Sequence, residues 1–378
     1  MNYKVCVYGH ANNEEENIEK WFSCVKEADC VCILDTGSTD SSMSILQKLA
    51  SENSHFHFKQ NFYKDVHFAR MKNDTLAFAK SFLNLDTEFW IFVCLNLDEF
   101  LVAGEIKNLK NNWDESFEYG EILEQKDNHV LGIRVHTANP DWCYIRRVHE
   151  ELVMQSRPKE QWKRYPFFIK FLHERDEGKK RGYRDLLKQT CTEDPFDMVA
   201  FSYYIQELNK NEDSEEYISA NRRGLELFLT GKIHYFSCYY YSEITPMKAW
   251  FCLNLIDCEE DPKEKLKLIN YVLQDMEEGY LYKINYIYNK VSEIYDEIGD
   301  FSKSREFLLK AINLPLSSNT SWFTGYQLPR DFLYGKYAML LWYQEDYIGA
   351  YAYGKLSNDN YNFKTFYEPK YQEIVNAE

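Results

Sequence analysis

Apolar residues in the first hundred positions come in short runs, separated by polar loops and amphipathic stretches. Residues 3–8 form an apolar run rich in β-branched and aromatic side chains. The polar turn 10–13 follows, and then a stretch in which Ile18, Trp21, Phe22 and Val25 share one helical face. Residues 30–34 (CVCIL) repeat the pattern: they end in Asp35-Thr36-Gly37-Ser38-Thr39-Asp40, and a helix starting at Ser41 carries Ile45, Leu46 and Leu49. A third strand is predicted at 55–58, a helix at 68–82, and a continuous apolar strand at 89–95 that stops abruptly at Asn96-Leu97-Asp98-Glu99. Alternating strands and helices predict an α/β, Rossmann-like domain with a mostly parallel sheet, whose ligands bind beyond the carboxyl ends of the strands. Both acidic loops, at Asp35 and at Asp98, follow such ends.

From about Asp194 the pattern changes to helices without strands, at 196–208, 217–230, 246–258 and 262–276. Residues 286–315 hold two amphipathic helices, broken at Gly299-Asp300 and stopped by Pro315, in the manner of a tetratricopeptide repeat. Residues 334–356 echo this unit without a glycine at the turn. The predicted organisation is a catalytic α/β domain over residues 1–190 and an all-α, repeat-like domain over 191–378.

Composition supports folding throughout: of 378 residues, 45% are hydrophobic, with 30 Tyr and 25 Phe, far from the profile of disorder. A net charge of -16 opposes the phosphate-neutralising surface that nucleic-acid binding needs, so nucleic acid is excluded as a partner. No stretch approaches the ~18 uninterrupted apolar residues of a membrane span. The opening MNYKVCVYGH reads as a strand rather than a secretory leader. Ten cysteines occur without a C-x-x-C pair, and Cys30 and Cys32 point to one face of a single strand, which suits reduced, buried thiols rather than a zinc site. These features predict a cytoplasmic protein, for which a homo-oligomer is an allowed assembly.

The turn Asp98-Glu99 sets two carboxylates at the mouth of a buried strand, a costly arrangement unless a cation neutralises them. A hard divalent ion, Mn²⁺ or Mg²⁺, binds through one or two carboxylates and leaves positions for phosphate oxygens. Residues 157–188 contain eleven Lys and Arg against five Asp and Glu, a local excess of positive charge that could face a diphosphate or simply be a solvated face. No G-x-x-x-x-G-K loop is present, which argues against ATP chemistry.

Together these motifs resemble family 2 glycosyltransferases of the GT-A fold, at several points in the right order over roughly residues 3–175. Asn13-Glu14 resembles that family's Asn-Glu loop, and residues 34–40 (LDTGSTD) its nucleotide loop. Phe68-Ala69-Arg70 with Asn73 is similar to its Ala-Arg-Asn helix start. Asn96-Leu97-Asp98-Glu99 occupies the slot of its Asp-x-Asp-Glu metal motif, with Asn96 where the family usually has Asp. Residues 147–152 (RVHEEL) resemble its Val-His-Glu segment, and residues 169–173 a short strand ending in His.

The resemblance implies a metal-dependent, inverting hexosyltransferase that uses a nucleotide-sugar donor, in which Asp35 meets the base of a nucleotide, most simply UDP, and Arg70 faces the diphosphate. Asn13, Glu14, Asn73 and Asn96 would complete the donor site, Asp98 and His173 would ligate Mn²⁺ or Mg²⁺, and Glu150, with Glu151 as competitor, would take the acceptor's proton. Asp35 and Asp40 can equally cap the following helix. The acceptor class is a peptide or protein, suggested by the helical repeats, or a cell-envelope glycan. The alternative is a non-catalytic sugar-nucleotide or peptide binding module whose metal site has decayed at Asn96. A nucleotidyltransferase fits less well, because the first loop lacks a Gly-rich basic motif.

Overall fold

The computed structural model of the protein describes residues 3–126, 128–157, 161–173, 182–232, 240–278, 284–315 and 328–377. Of the basic stretch 157–188, residues 158–160 and 174–181 lie outside the described residues. The chain divides into two compact units, the first Met1–Glu212 with Gly231–Tyr240 and the second Asp213–Thr230 with Tyr241–Glu378.

In the first unit β1 (Lys4–Ala11), α1 (Ile18–Val25), β2 (Cys30–Asp35), α2 (Ser42–Glu52), β3 (Phe56–Gln60), α3 (Phe68–Lys80) and β4 (Trp90–Cys94) alternate as the apolar runs require. The chain then departs from strict alternation: β5 (Glu99–Leu101), α4 (Glu105–Asn112), β6 (Tyr119–Glu124), β7 (His129–Thr137), β8 (Trp142–Ile145), β9 (Glu151–Met154), β10 (Ile169–His173), α5 (Arg184–Glu193) and α6 (Met198–Glu207). Eight strands form one sheet in the order β3-β2-β1-β4-β7-β6-β10-β5, and β8 with β9 forms a separate hairpin. β3, β2, β1 and β4 are parallel, as are β6 and β10, whereas β7 and β5 run antiparallel to their neighbours. The sheet is therefore mixed and largely parallel. β2 and β4 are buried at every position, as expected of strands covered on both faces.

Chain direction across the sheet reverses at the β1/β4 seam: β2 and β3 lie to one side of β1 and β4 to the other, which opens a crevice at their carboxyl ends. Gly9 sits at this seam, where a Cβ would collide with the Leu95 carbonyl, so only glycine lets the chain leaving β4 pass so close to β1. On one face of β1 and β2 the sulfurs of Cys6, Cys30 and Cys32 lie within 4.8 Å of one another, buried among apolar side chains.

The second unit is helical: α7 (Ser214–Thr230), α8 (Tyr240–Ile256), α9 (Pro262–Glu277), α10 (Asn285–Ile298), α11 (Phe301–Asn313), α12 (Arg330–Tyr343) and α13 (Tyr347–Leu356). α10 and α11 pair around Gly299, whose left-handed φ of 83° ends one helix while Asp300 caps the next through the Lys303 N–H. α12 and α13 repeat this device, with Glu345 at φ 62° and Asp346 capping through the Gly349 N–H. The second turn thus keeps its geometry without the glycine. No described helix is long and apolar enough to cross a membrane.

Candidate active site

The carboxyl ends of β1 and β4 open into a cavity of about 820 Å³ in the first unit. His10, Asn12 and Glu14 reach it from the β1 end and Asn96, Leu97 and Asp98 from the β4 end. Phe68 and Met71 enter from α3, Arg134 from β7, His149 and Glu150 from the turn before β9, and Tyr183 from the start of α5.

The loops after β1 and β2 are laced together. Asn13, at φ 57°, accepts through Oδ1 from the Thr39 N–H at 2.7 Å, and its own N–H donates to Ser38 Oγ at 2.8 Å. The Glu14 N–H donates to Ser42 Oγ at 2.9 Å. Asp35 is wholly buried. Its Oδ1 accepts from the N–H groups of Gly37 and Ser38 and from Gln60 Nε2, all at 3.0–3.1 Å, so this carboxylate shapes the loop after β2 from beneath.

The acidic turn after β4 is folded on itself. Glu99 is buried, accepts from both the backbone N–H and the Nδ2 of Asn96, and lies 3.5 Å from Arg134. That leaves Asp98, two-fifths exposed, as the carboxylate that faces the cavity. Antiparallel pairing of β5 with β10 sets His173 in register with Glu99, and His173 Nε2 comes to 3.1 Å from Asp98 Oδ2. A carboxylate oxygen and an imidazole nitrogen converging this closely fit a divalent cation, and the nitrogen favours Mn²⁺ over Mg²⁺.

Glu150 and Glu151 separate completely. Glu151 begins β9 and turns inward, where Arg146 binds it at 2.9 Å and also binds Asp197, the N-cap of α6, at 2.5 Å. Glu150 turns to the cavity and meets Lys72 Nζ at 2.6 Å. Burial would raise the Glu150 carboxyl, but the charges of Lys72 and Arg134 overcome it and hold the group at about 2. The turn that presents it bears two left-handed residues, Arg146 at φ 69° and His149 at φ 50°. The His149 ring stacks on Tyr203 with centroids 4.1 Å apart.

Of the residues singled out in the sequence, Glu14, Asn96, Asp98 and Glu150 line the cavity, and His173 joins them through Asp98. Asn13 and Asp35 organise the loops at its edge. Arg70 is half exposed and bound to Asp65, a lining residue that Arg147 also holds. Asn73 is engaged elsewhere: its Nδ2 donates to the Tyr144 carbonyl and its Oδ1 accepts the Tyr144 N–H, which fastens α3 to β8.

Three further residues escaped the sequence reading. Lys72 is buried and falls with Ala69, Leu76 and Ala79 on the inner face of α3, so a lysine inside an apolar stripe was the available signal for a buried counter-charge. Arg134 sits between Ile133 and Val135 on β7, and only the fold shows its side chain beside Glu99. His10 ends the polar side of β1; burial and the nearby Lys72 lower it to about 4, so it is neutral near pH 7.

No described protein family matches the chain, and no curated protein matches it in sequence. Solved structures similar to it include a mannosyltransferase, PcManGT from Pyrobaculum calidifontis in complex with GDP-Man and Mn²⁺, with 12% identity and a TM-score of 0.37 over 73% of this chain and 81% of that one. S. aureus TarS 1-349 is similar at 10% identity and a TM-score of 0.34, over 80% and 90% of the two chains. MamA 41-end from Desulfovibrio magneticus RS-1 is similar at 13% identity and a TM-score of 0.32, over 46% of this chain and 80% of the other. At these identities and scores the likeness by itself assigns no activity.

Proposed function

We propose that the protein is a metal-dependent, inverting glycosyltransferase of the family 2 type, which moves a hexose from a nucleotide diphosphate, most simply UDP, to an acceptor. One observation carries this reading: Asp98 and His173 converge at 3.1 Å beside the same switch-point cavity that Glu150 enters. Asp98 and His173 would hold the divalent cation, Mn²⁺ or Mg²⁺, whose charge offsets that of the departing diphosphate. The loops after β1 and β2, shaped by Asn13 and Asp35, form the nucleotide side, and Arg70 stands at the rim beside Asp65.

Glu150 faces the acceptor. Lys72 and Arg134 keep it ionised throughout the neutral range, which also makes it a weak base. It therefore orients the acceptor's O–H, N–H or S–H by accepting a hydrogen bond. It receives the proton as the nucleophile bonds to the anomeric carbon and loses its own basicity. The helical unit, with its paired α10–α11 and α12–α13, is the part suited to present a peptide or protein acceptor; a cell-envelope glycan is the other acceptor class.

Calorimetric titration of UDP and GDP, with and without Mn²⁺, into the protein and into Asp98→Ala tests the donor site. Metal-dependent binding lost in the variant supports it, and absence of binding to both nucleotides overturns it. A second reading, a binding module with a decayed metal site, draws on Asn96, which spends its backbone N–H and its Nδ2 on Glu99. Turnover of a nucleotide sugar by the natural chain would dismiss that alternative.

A further inference from the structure

Away from the cavity, three thiols converge in the core of the first unit. Cys6 and Cys30 are paired directly across β1 and β2, and Cys32 follows Cys30 by two residues on β2, so all three side chains stand on one face of the sheet. Cys30 Sγ and Cys32 Sγ are 3.6 Å apart, and the three sulfurs all lie within 4.8 Å of one another. None of the three residues is more than 3% exposed, and Ala69, Leu76 and Phe92 belong to the same buried cluster.

This spacing suits one central atom better than a disulfide. A disulfide would use two of the three sulfurs and need an oxidant. Cys30 and Cys32 cannot form one in place, because side chains two residues apart on a strand stand about 6.6 Å apart at their Cβ atoms, against ~3.8 Å in a disulfide. An atom bonded to sulfur at ~2.3 Å, as in thiolate metal sites, holds three sulfurs about 3.5–4 Å apart.

Ligand number and charge then select the ion. Among the described residues no histidine nitrogen or carboxylate oxygen joins the group. His57, in register with Cys32 on β3, is instead stacked on Phe82 with ring centroids 3.9 Å apart. Zn²⁺ therefore lacks the fourth ligand its structural sites require. Three thiolates around Zn²⁺ or Cu⁺ would also leave net negative charge among apolar side chains, which is costly. A trivalent, thiophilic centre takes three sulfurs and leaves the complex neutral.

We propose that Cys6, Cys30 and Cys32 form a three-coordinate site for a trivalent metalloid of the arsenite class. Arsenous acid and three thiols give the trithiolate and three waters: three As–O bonds break, three As–S bonds form, each thiol proton leaves in a water, and no electron is transferred. The product staples β1 to β2, and the proposal is independent of the reaction assigned to the cavity.

The test unfolds the full chain in urea and refolds it with and without sodium arsenite. A phosphine serves as reductant, because a dithiol would compete for arsenic, and excess arsenite is then removed. The refolded chain should gain one arsenic atom and lose three hydrogens in its native mass, show three sulfur and no oxygen neighbours in X-ray absorption at the arsenic edge, and melt at a higher temperature than the arsenic-free chain. Cys6→Ala should lose the three-sulfur environment and the melting shift, whereas Cys252→Ala, which removes a buried thiol of the helical unit, should behave as the parent. No retained arsenic, or two sulfurs and one oxygen in the natural chain, overturns the proposal, as does equal retention by Cys6→Ala. The absorption spectrum of the natural chain decides the matter should Cys6→Ala fail to fold. A parallel refolding with zinc chloride checks the choice of ion: zinc retained by the parent but lost in His57→Ala would make His57 a fourth ligand and overturn the three-coordinate assignment.

Discussion

Replacing Lys72 with methionine isolates the energetics that hold Glu150 in place. Lys72 is 1% exposed and its Nζ lies 2.6 Å from Glu150, whose side chain is 15% exposed. Holding that carboxyl at about 2 rather than its ordinary 4.5 corresponds to ~3 kcal/mol, at about 1.4 kcal/mol per pH unit. A depressed carboxyl contributes stability that is fully present above 4.5 and lost as pH falls toward 2, so at pH 7.5 the whole of it is at stake. Lys72→Met leaves the carboxylate buried with the more distant Arg134 as the remaining cation among the described residues, and should destabilise by ~3–5 kcal/mol, the range for breaking a buried pair from one side. Adding Glu150→Gln removes the stranded charge, and the double variant should recover ~2 kcal/mol or more. Urea unfolding at pH 7.5 of the parent, the two single variants and the double variant measures this cycle. If the double variant is no more stable than Lys72→Met, the stranded charge is not the source of the loss and the account of Glu150 is wrong.

Four further outcomes are expected. Glu150→Gln should retain most of its folded stability and lose nucleotide-sugar turnover by ~100-fold or more, whereas Glu151→Gln, which weakens the buried Arg146–Asp197 cluster, should lower the melting temperature with activity following the folded fraction. Asn96→Asp removes a donor to Glu99 and sets two carboxylates together, so the metal-free variant should be ~1–3 kcal/mol less stable, and Mn²⁺ should raise its melting temperature more than the parent's. Glu345→Gly should stabilise the helical unit by ~1 kcal/mol, because glycine adopts the φ of 62° without the steric conflict of a side chain; an unchanged urea midpoint would contradict this. Histidines 10 and 136 are buried and lowered from 6.5 to about 4 and about 3, so folding stability should fall as pH drops below 6.5, approaching ~2.7 kcal/mol per pH unit for the two protons that only the unfolded chain then binds. Urea unfolding at pH 7.5, 6.5 and 5.5 would show this slope, and a flat profile would rule it out.

The strands and helices of the first hundred residues were legible because each carries one period: CVCIL is apolar without interruption, and Ile18, Trp21, Phe22 and Val25 share a face, all buried in the fold. The β6–β7 and β8–β9 hairpins were not read. β6 is irregular, its pairing with β7 shifting between Gly120 and Glu121 and again between Ile122 and Leu123, which breaks the two-residue alternation that would have revealed it. Asn73 shows a different obscurity. A polar residue near a helix start looks like a ligand group, but its amide copies a peptide group and pairs with both backbone atoms of Tyr144, a residue 71 positions away. The second helical pair was legible at 334–356 although its turn has no glycine; what the letters did not mark is Glu345 as the left-handed residue, because that geometry, not the residue type, defines the turn.

The pair Glu150-Glu151 shows why motif and role part company. Two adjacent carboxylates are equivalent in sequence, and because β9 begins at Glu151 the pleat must send the two in different directions. Which one faces the cavity is decided by partners far along the chain. Asp197, the N-cap of α6, positions Arg146 to draw Glu151 inward, and Lys72 in α3 draws Glu150 outward to the cavity. His149 at φ 50°, stacked on Tyr203, holds the turn that leads into the pair. The same logic applies at Asp98-Glu99: Asn96 and Arg134 claim Glu99, and register with β10 brings His173 to Asp98. In both pairs a buried cation neutralises the inner or anchoring carboxylate. Because Lys72 comes from α3, Arg134 from β7, and Arg146 is set by Asp197 at the start of α6, the working face of each acidic pair follows from the tertiary fold and not from the order of its letters.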